Sequence, residues 1–245
     1  MNLLNTLWLG FRATLFWIGF AIVTMVFGLL SPLLLLLPNK MAFGILIYWT
    51  YINVWWLKVT CGVRYTVKNP ENIDRSSAHI VLANHQSTWE TMAIPTLIPR
   101  FAWVLKKELF KIPFFGWALK VVTPIAIDRS AGRSAVDQIK EIGQQRLDDG
   151  MWICMFPEGT RVMPGKKGRY KMGGAILASH TGYPVIPIAH NAGESWPRHS
   201  YIKKPGTITI SVGPEILTEG RKAADIMKDV ETWIEAEKKI LPPIA

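Results

Sequence analysis

Cysteine is nearly absent from this chain, with Cys61 and Cys154 the only two among 245 residues. That excludes a disulfide-stapled secreted scaffold. Cys154 falls inside the apolar run Met151 to Phe156, so a buried free thiol is expected, which suits a reducing, cytoplasmic catalytic domain. Charge is also scarce, at 19% of residues, and the acidic sign is the rarer one, 18 residues against 28 Lys and Arg for a net charge of +10. No repeat, low-complexity stretch or nucleic-acid motif accompanies that excess, which directs it to anionic lipid headgroups and phosphorylated substrates rather than nucleic acid. A Gly-x-Ser-x-Gly elbow and a spaced set of metal ligands are missing too, leaving no motif support for a hydrolase such as a thioesterase or phosphatase.

Apolar residues are abundant instead. They make up 49% of the chain, with eleven Trp, and mean hydropathy is +0.18. Ala13 to Leu37 runs without one charge, and as a helix of roughly 37 Å it would cross a hydrocarbon core with some tilt. Pro32 is expected to kink it near its end. After Pro38-Asn39-Lys40, a second run from Met41 to Leu57 carries Tyr48, Tyr51, Trp55 and Trp56, aromatics suited to the water interface. The pair reads as a membrane hairpin over residues 1–60. Its length leaves open whether it spans twice or dips into one leaflet. A cleaved signal peptide is disfavoured, because the run is too long and no small-x-small site follows it. Residues 61–245 read as one α/β domain.

Within that domain, Ala78 to Ala83, Trp103 to Lys106, Val121 to Ile127, Met151 to Phe156, Pro184 to Ala189 and Thr207 to Val212 read as strands. Between and after them, Thr88 to Ile98 (broken by Pro95), Ser134 to Leu147, Gly173 to His180 and the amphipathic Arg221 to Ile240 read as helices. Alternation of this kind predicts a mixed, largely parallel sheet flanked by helices, with sites at the carboxyl ends of strands.

Two such ends carry the chemistry. His85 follows the first strand in a polar turn and is the side chain best poised near neutrality to take a proton from an alcohol. Glu90 lies five residues on, about 140° round an ideal helix, so the two meet only if His85 stays in the turn and Glu90 enters the first helical turn. Ser87-Thr88-Trp89-Glu90 is equally a capping box, in which Glu90 reaches back to backbone. Both readings stand on spacing. After Met151 to Phe156, Glu158-Gly159-Thr160-Arg161 offers a flexible glycine and a guanidinium fork, and Asp128-Arg129 adds a second arginine at a strand end. Two arginines so placed suggest an anion site. Basic residues also interleave with aromatics at Lys106, Lys107, Phe110, Lys111, Phe114, Phe115 and Trp117, and cluster at Lys166, Lys167, Arg169 and Lys171, where lipid would be met.

Four ordered blocks between Leu82 and Ile188 then resemble the membrane-bound glycerolipid acyltransferases. They are Asn84-His85 through Glu90, Ile127-Asp128-Arg129, Phe156-Pro157-Glu158-Gly159-Thr160-Arg161 and Val185-Ile186-Pro187-Ile188. The resemblance implies that His85 activates an acceptor hydroxyl with Glu90 supporting it, and that Arg129, Glu158, Gly159 and Arg161 bind glycerophosphate. Asn84, Lys106 and Thr160 complete the implied substrate-binding set. It further implies no metal, no cofactor and no acyl-enzyme. The co-substrate is acyl-CoA or acyl carrier protein, and the product is phosphatidic acid, made from 1-acyl-sn-glycerol 3-phosphate (lysophosphatidic acid) by acylation at the sn-2 hydroxyl. Glycerol 3-phosphate or another lysophospholipid is the nearest alternative acceptor, and a non-catalytic lipid-binding protein a more distant reading. The expected location is the inner membrane, with the catalytic domain on the cytoplasmic side. Glu90 departs from the family's usual Asp by one methylene, which leaves the His85 to Glu90 geometry for the structure to decide.

Overall fold

The structure, a computed structural model, describes residues 2–128 and 133–244. Asn2 caps the first helix, α1 (Leu3–Leu34), by accepting from the Asn5 amide, and the helix continues through Pro32 to its end. The second apolar run forms two helices, α2 (Asn39–Leu46) and α3 (Tyr48–Cys61), which meet at Ile47. α3 returns along α1, so the expected hairpin forms. Leu9, Ala13, Phe16, Gly28, Ser31 and Leu34 are the buried positions of α1, and only 17% of its most apolar window is covered. A helix of this hydropathy with so little covered surface is not the core helix of a soluble domain.

Seven strands follow: β1 (Val63–Lys68), β2 (Ile80–Ala83), β3 (Phe101–Lys106), β4 (Ile125–Ile127), β5 (Trp152–Met155), β6 (Val185–His190) and β7 (Gly206–Val212). They form one sheet in the order β1-β7-β6-β2-β5-β3-β4, antiparallel only between β6 and β7. The expected mixed, largely parallel sheet is what the chain builds. β2, β5 and β6 are buried at every residue, as strands covered on both faces must be. The remaining helices are α4 (Glu90–Ala93), α5 (Phe115–Val121), α6 (Arg133–Asp148), α7 (Gly173–Thr181), α8 (Ala192–Ser195) and α9 (Ala223–Ile240). α6, α7 and α9 pack together and onto β4, β5 and β6, while α1, α3 and α5 group with the hairpin.

Two elements differ from the sequence reading. Val121 ends helix α5 instead of opening a strand, because Thr123 turns the chain at φ 44° and Pro124 follows, leaving only three residues for β4. β1 was not legible, since Arg64, Thr66 and Lys68 alternate with only Val63 fully buried. The hairpin and the sheet also share one hydrophobic core, in which Phe16, Phe43, Val54 and Leu57 join Ile80, Leu82 and Ile186. Close approach makes this possible at Gly28 of α1, where an added Cβ would lie 2.6 Å from the Phe114 Cα. The hairpin is therefore built into the catalytic body.

Candidate active site

Register places the site before any side chain is considered. β2 pairs with β5 through Leu82 and Met155. Three residues further on in each chain are His85 and Glu158, so the two motif turns emerge side by side at the carboxyl edge of the sheet. The backbone confirms it: the His85 amide donates to Glu158 Oε2 at 2.7 Å, and the Val162 amide donates to the His85 carbonyl at 2.7 Å. The second turn thus grips the first at both backbone groups of His85. Gly159 permits the tight bend by adopting φ 67°, a conformation costly for residues with a Cβ.

Asn84 grips from the other side. Its amide nitrogen donates to the His190 carbonyl at 3.0 Å and its oxygen accepts from the His190 amide at 2.9 Å. His190 Nε2 in turn donates to the Asn84 carbonyl at 2.8 Å, while Nδ1 accepts from the Ala192 amide. Burial drives the His190 imidazole towards its neutral form, which suits that pattern. Asn84 is fully buried and does not line the cavity described below.

His85 Nδ1 lies 2.7 Å from Glu90 Oε1. The same oxygen accepts from the Gln86 amide at 2.8 Å and from the Ser87 amide at 2.7 Å. Orienting acid and capping residue are therefore one and the same group, because His85 remains in the turn and Glu90 opens α4. Burial pushes the Glu90 carboxyl up, but His190, His85 and the Ser87 amide more than reverse this, so it stays ionised. A carboxylate at Nδ1 places the proton there and leaves the Nε2 lone pair available. The imidazole lies flat on Phe156, centroids 4.2 Å apart and planes within 9°, and Phe156 stacks on Trp103. That stack was not legible in the spacing.

The ring faces a cavity of about 660 Å³, within the range of ligand pockets. Its walls divide by chemistry. Phe20 and Phe27 of α1, Phe43 and Leu46 of α2, and Leu119 and Val122 beside α5 make one part apolar. His85, Lys106, Gly159, Thr160, Arg161, Arg198 and His199 make the other part polar and cationic. The structure thus brings Lys106, Gly159, Thr160 and Arg161 to the same cavity as His85. Arg129 lies outside the described residues. Glu158 does not line the cavity; it sits behind His85, 4% exposed, with Oε1 making no hydrogen bond. Asn84 and Glu158, expected to bind substrate, hold backbone here: Glu158 accepts from the His85 amide, and Asn84 pairs with the His190 backbone.

Burial pushes the Glu158 pKa up to about 7, from an ordinary 4.5, against the lowering effect of the His85 amide. A carboxyl raised in this way contributes stability that is fully present below pH 4.5 and lost as pH rises through about 7. Glu158→Gln keeps an acceptor for the His85 amide without the titration. The variant is expected to gain up to about 3 kcal/mol relative to the parent between pH 5 and pH 8, several degrees in Tm, with turnover retained. Thermal melts of both proteins across that range check this. Parallel pH slopes would mean that Glu158 does not titrate there.

An imidazole backed by a buried carboxylate and facing a largely apolar cavity is the arrangement of a general base acting on an apolar substrate. Residues 64–191 match the family described as Acyltransferase, and the chain belongs to it. Among its relatives, the 1-acyl-sn-glycerol-3-phosphate acyltransferase of Pseudomonas aeruginosa is 38% identical over 238 residues, covering 95% of this chain and 92% of that one. The human 1-acyl-sn-glycerol-3-phosphate acyltransferase beta is 26% identical over 175 residues, 70% of this chain and 62% of its own. The crystal structure of the 1-acyl-sn-glycerophosphate (LPA) acyltransferase of Thermotoga maritima shares the fold, with a TM-score of 0.79 at 23% identity over 94% of this chain and 95% of that one.

Proposed function

We propose that this enzyme transfers a fatty acyl group from a thioester to the sn-2 hydroxyl of 1-acyl-sn-glycerol 3-phosphate, yielding phosphatidic acid. The observation that carries the reading is that His85, its Nδ1 2.7 Å from Glu90 Oε1, lines one cavity together with apolar side chains of α1 and α2 and the cations Lys106, Arg161 and Arg198. The thioester's acyl chain occupies the apolar part, and the acceptor's phosphate meets Arg161, Lys106 and Arg129. The relatives named for this reaction support the choice of acceptor.

Nε2 of His85 removes the proton of the acceptor hydroxyl as its oxygen attacks the thioester carbonyl. Glu90 stabilises the imidazolium so formed. The tetrahedral adduct then collapses, the carbon–sulfur bond breaks, and the imidazolium returns its proton to the departing thiolate. Atoms and charges balance with no acyl-enzyme and no resident metal or cofactor. The donor is acyl-CoA or acyl carrier protein, each acting as co-substrate. Incubating the purified protein in lipid with each donor and with lysophosphatidic acid, glycerol 3-phosphate and other lysophospholipids, and weighing the products, tests the assignment. Free fatty acid as the sole product would make it a thioesterase.

The exposed apolar side chains of α1 and α3, Leu7, Phe11, Ile18, Ile22, Met25, Tyr48 and Trp55 among them, support insertion into a membrane. The inner membrane, with the sheet on the cytoplasmic side, is the location proposed. Burial of apolar surface is not screened by salt as charge contacts are. High-salt washes are therefore expected to leave the full-length protein in the membrane pellet, and its release without detergent would contradict insertion.

A further inference from the structure

Arg198 and His199 line the same cavity as His85 and Arg161, yet they lie outside all four sequence blocks. They sit at the tip of the loop joining α8 to β7. That loop is firmly built. At its base the Lys204 amide donates to the Ser195 carbonyl at 2.9 Å, and Ser195 Oγ donates to the Lys204 carbonyl at 2.7 Å. Trp196 Nε1 donates to the Ser200 carbonyl at 3.2 Å, and the Ser200 amide donates to the Pro197 carbonyl at 3.1 Å, closing a turn around the tip. Beneath it, Lys203 is 1% exposed, with Nζ 3.9 Å from the Trp17 ring centre, 4.5 Å from that of Trp196 and 4.8 Å from that of Phe16. Those contacts tie the loop to α1.

The tip itself is strained. His199 adopts φ 64°, a region that residues with a Cβ avoid and that tends to persist at functional sites. Arg198 Nε donates to His199 Nε2 at 2.9 Å, which orients the guanidinium and leaves the His199 proton on Nδ1. Neither Arg161 nor Arg198 makes a salt bridge among the described residues, and no Asp or Glu lines the cavity. The two guanidiniums are close enough to act on each other electrostatically. Buried Glu90 also acts on Arg161, more strongly than Arg198 does, yet two like charges at a cavity wall lined by no carboxylate still create a field that an anion relieves.

We propose that Arg198, oriented by His199, joins Arg161 and the other cations assigned above in a site for a phosphate monoester dianion, and that this added guanidinium is what makes the enzyme prefer a monoester acceptor over a phosphodiester one. The proposal rests on the acceptor reading given above. A monoester carries about 1.5 to 2 negative charges near neutrality, whereas a diester carries one. The charge and fork that Arg198 adds are used more fully by the first than by the second. Phosphates of the donor's carrier share this chemistry, so donor and acceptor must be varied separately.

The test uses the full-length protein in detergent–lipid micelles with acyl-CoA as donor. Acceptors are 1-acyl-sn-glycerol 3-phosphate and the diester 1-acyl-glycerophosphoglycerol. Both tip residues are exposed, so Arg198→Gln and Arg198→Lys are expected to fold normally. Arg198→Gln should raise the monoester KM about tenfold to one hundredfold, leave donor KM unchanged, and shrink the monoester preference in kcat/KM by about tenfold or more. Arg198→Lys should recover only part of the loss, because a point charge cannot reproduce the fork. An unchanged acceptor KM, or a defect confined to the donor, overturns the proposal. If the parent enzyme acylates neither lyso acceptor, the acceptor reading itself has failed, which is a different result from a parent that is active and an Arg198 variant that is indifferent.

Discussion

Replacing His85 with alanine is expected to lower turnover by about 10² to 10⁴ while the protein remains folded. The side chain holds no part of the core: it is 15% exposed and lines the cavity, and its backbone contacts to Glu158 and Val162 survive truncation. What disappears is the cavity-lining imidazole paired with Glu90. The stack on Phe156 also goes, at about 0.5 to 1.5 kcal/mol, a small fraction of a domain's stability. Rate of product formation, measured beside a thermal melt, separates chemistry from folding. Near-normal turnover in a folded variant would remove His85 from the mechanism.

Glu90→Gln should reduce turnover by a similar about 10² to 10⁴, for a different reason. Gln retains an oxygen for the Gln86 and Ser87 amides, so the turn should hold. The amide loses the charge that stabilises the imidazolium, and its nitrogen can donate to Nδ1, which moves the His85 proton to Nε2 and blocks the base. Glu90→Ala is expected to be worse in stability as well, because two buried amides lose their acceptor at about 1 to 3 kcal/mol each. The informative comparison is turnover and melting temperature in both variants. A fully active Glu90→Gln beside an unstable Glu90→Ala would reduce Glu90 to a cap.

The sequence reading of the site was close where the signal was local and incomplete where it was not. His85 in a polar turn after a buried strand, and Glu90 at the head of a helix, are short-range features, and the extra methylene of Glu90 proved long enough to reach both the ring and the amides. The same spacing could not show that one oxygen serves both. Glu158 entered the expected glycerophosphate site through the family resemblance of its block. Its true surroundings are the backbone of a residue 73 positions away, which no local pattern encodes. The backbone pairing of Asn84 was illegible for the same reason, its partner His190 lying 106 positions on. Arg198 and His199 carried no signal, since an exposed Arg-His pair in a loop looks like any solvated turn.

The same division runs through the fold. Hydropathy runs, strand and helix periods, and four blocks in fixed order determined an α/β acyltransferase with a long apolar N-terminal helix, because each depends on residues adjacent along the chain or one turn apart. Only the tertiary structure decided that Pro124 and Thr123 leave room for a three-residue strand, that Glu158 and Asn84 hold the backbone of His85 and His190, and that α1 lines the cavity beside His85. Those outcomes depend on the register of parallel strands and on close approach at positions such as Gly28, and both are set by packing between segments distant in sequence.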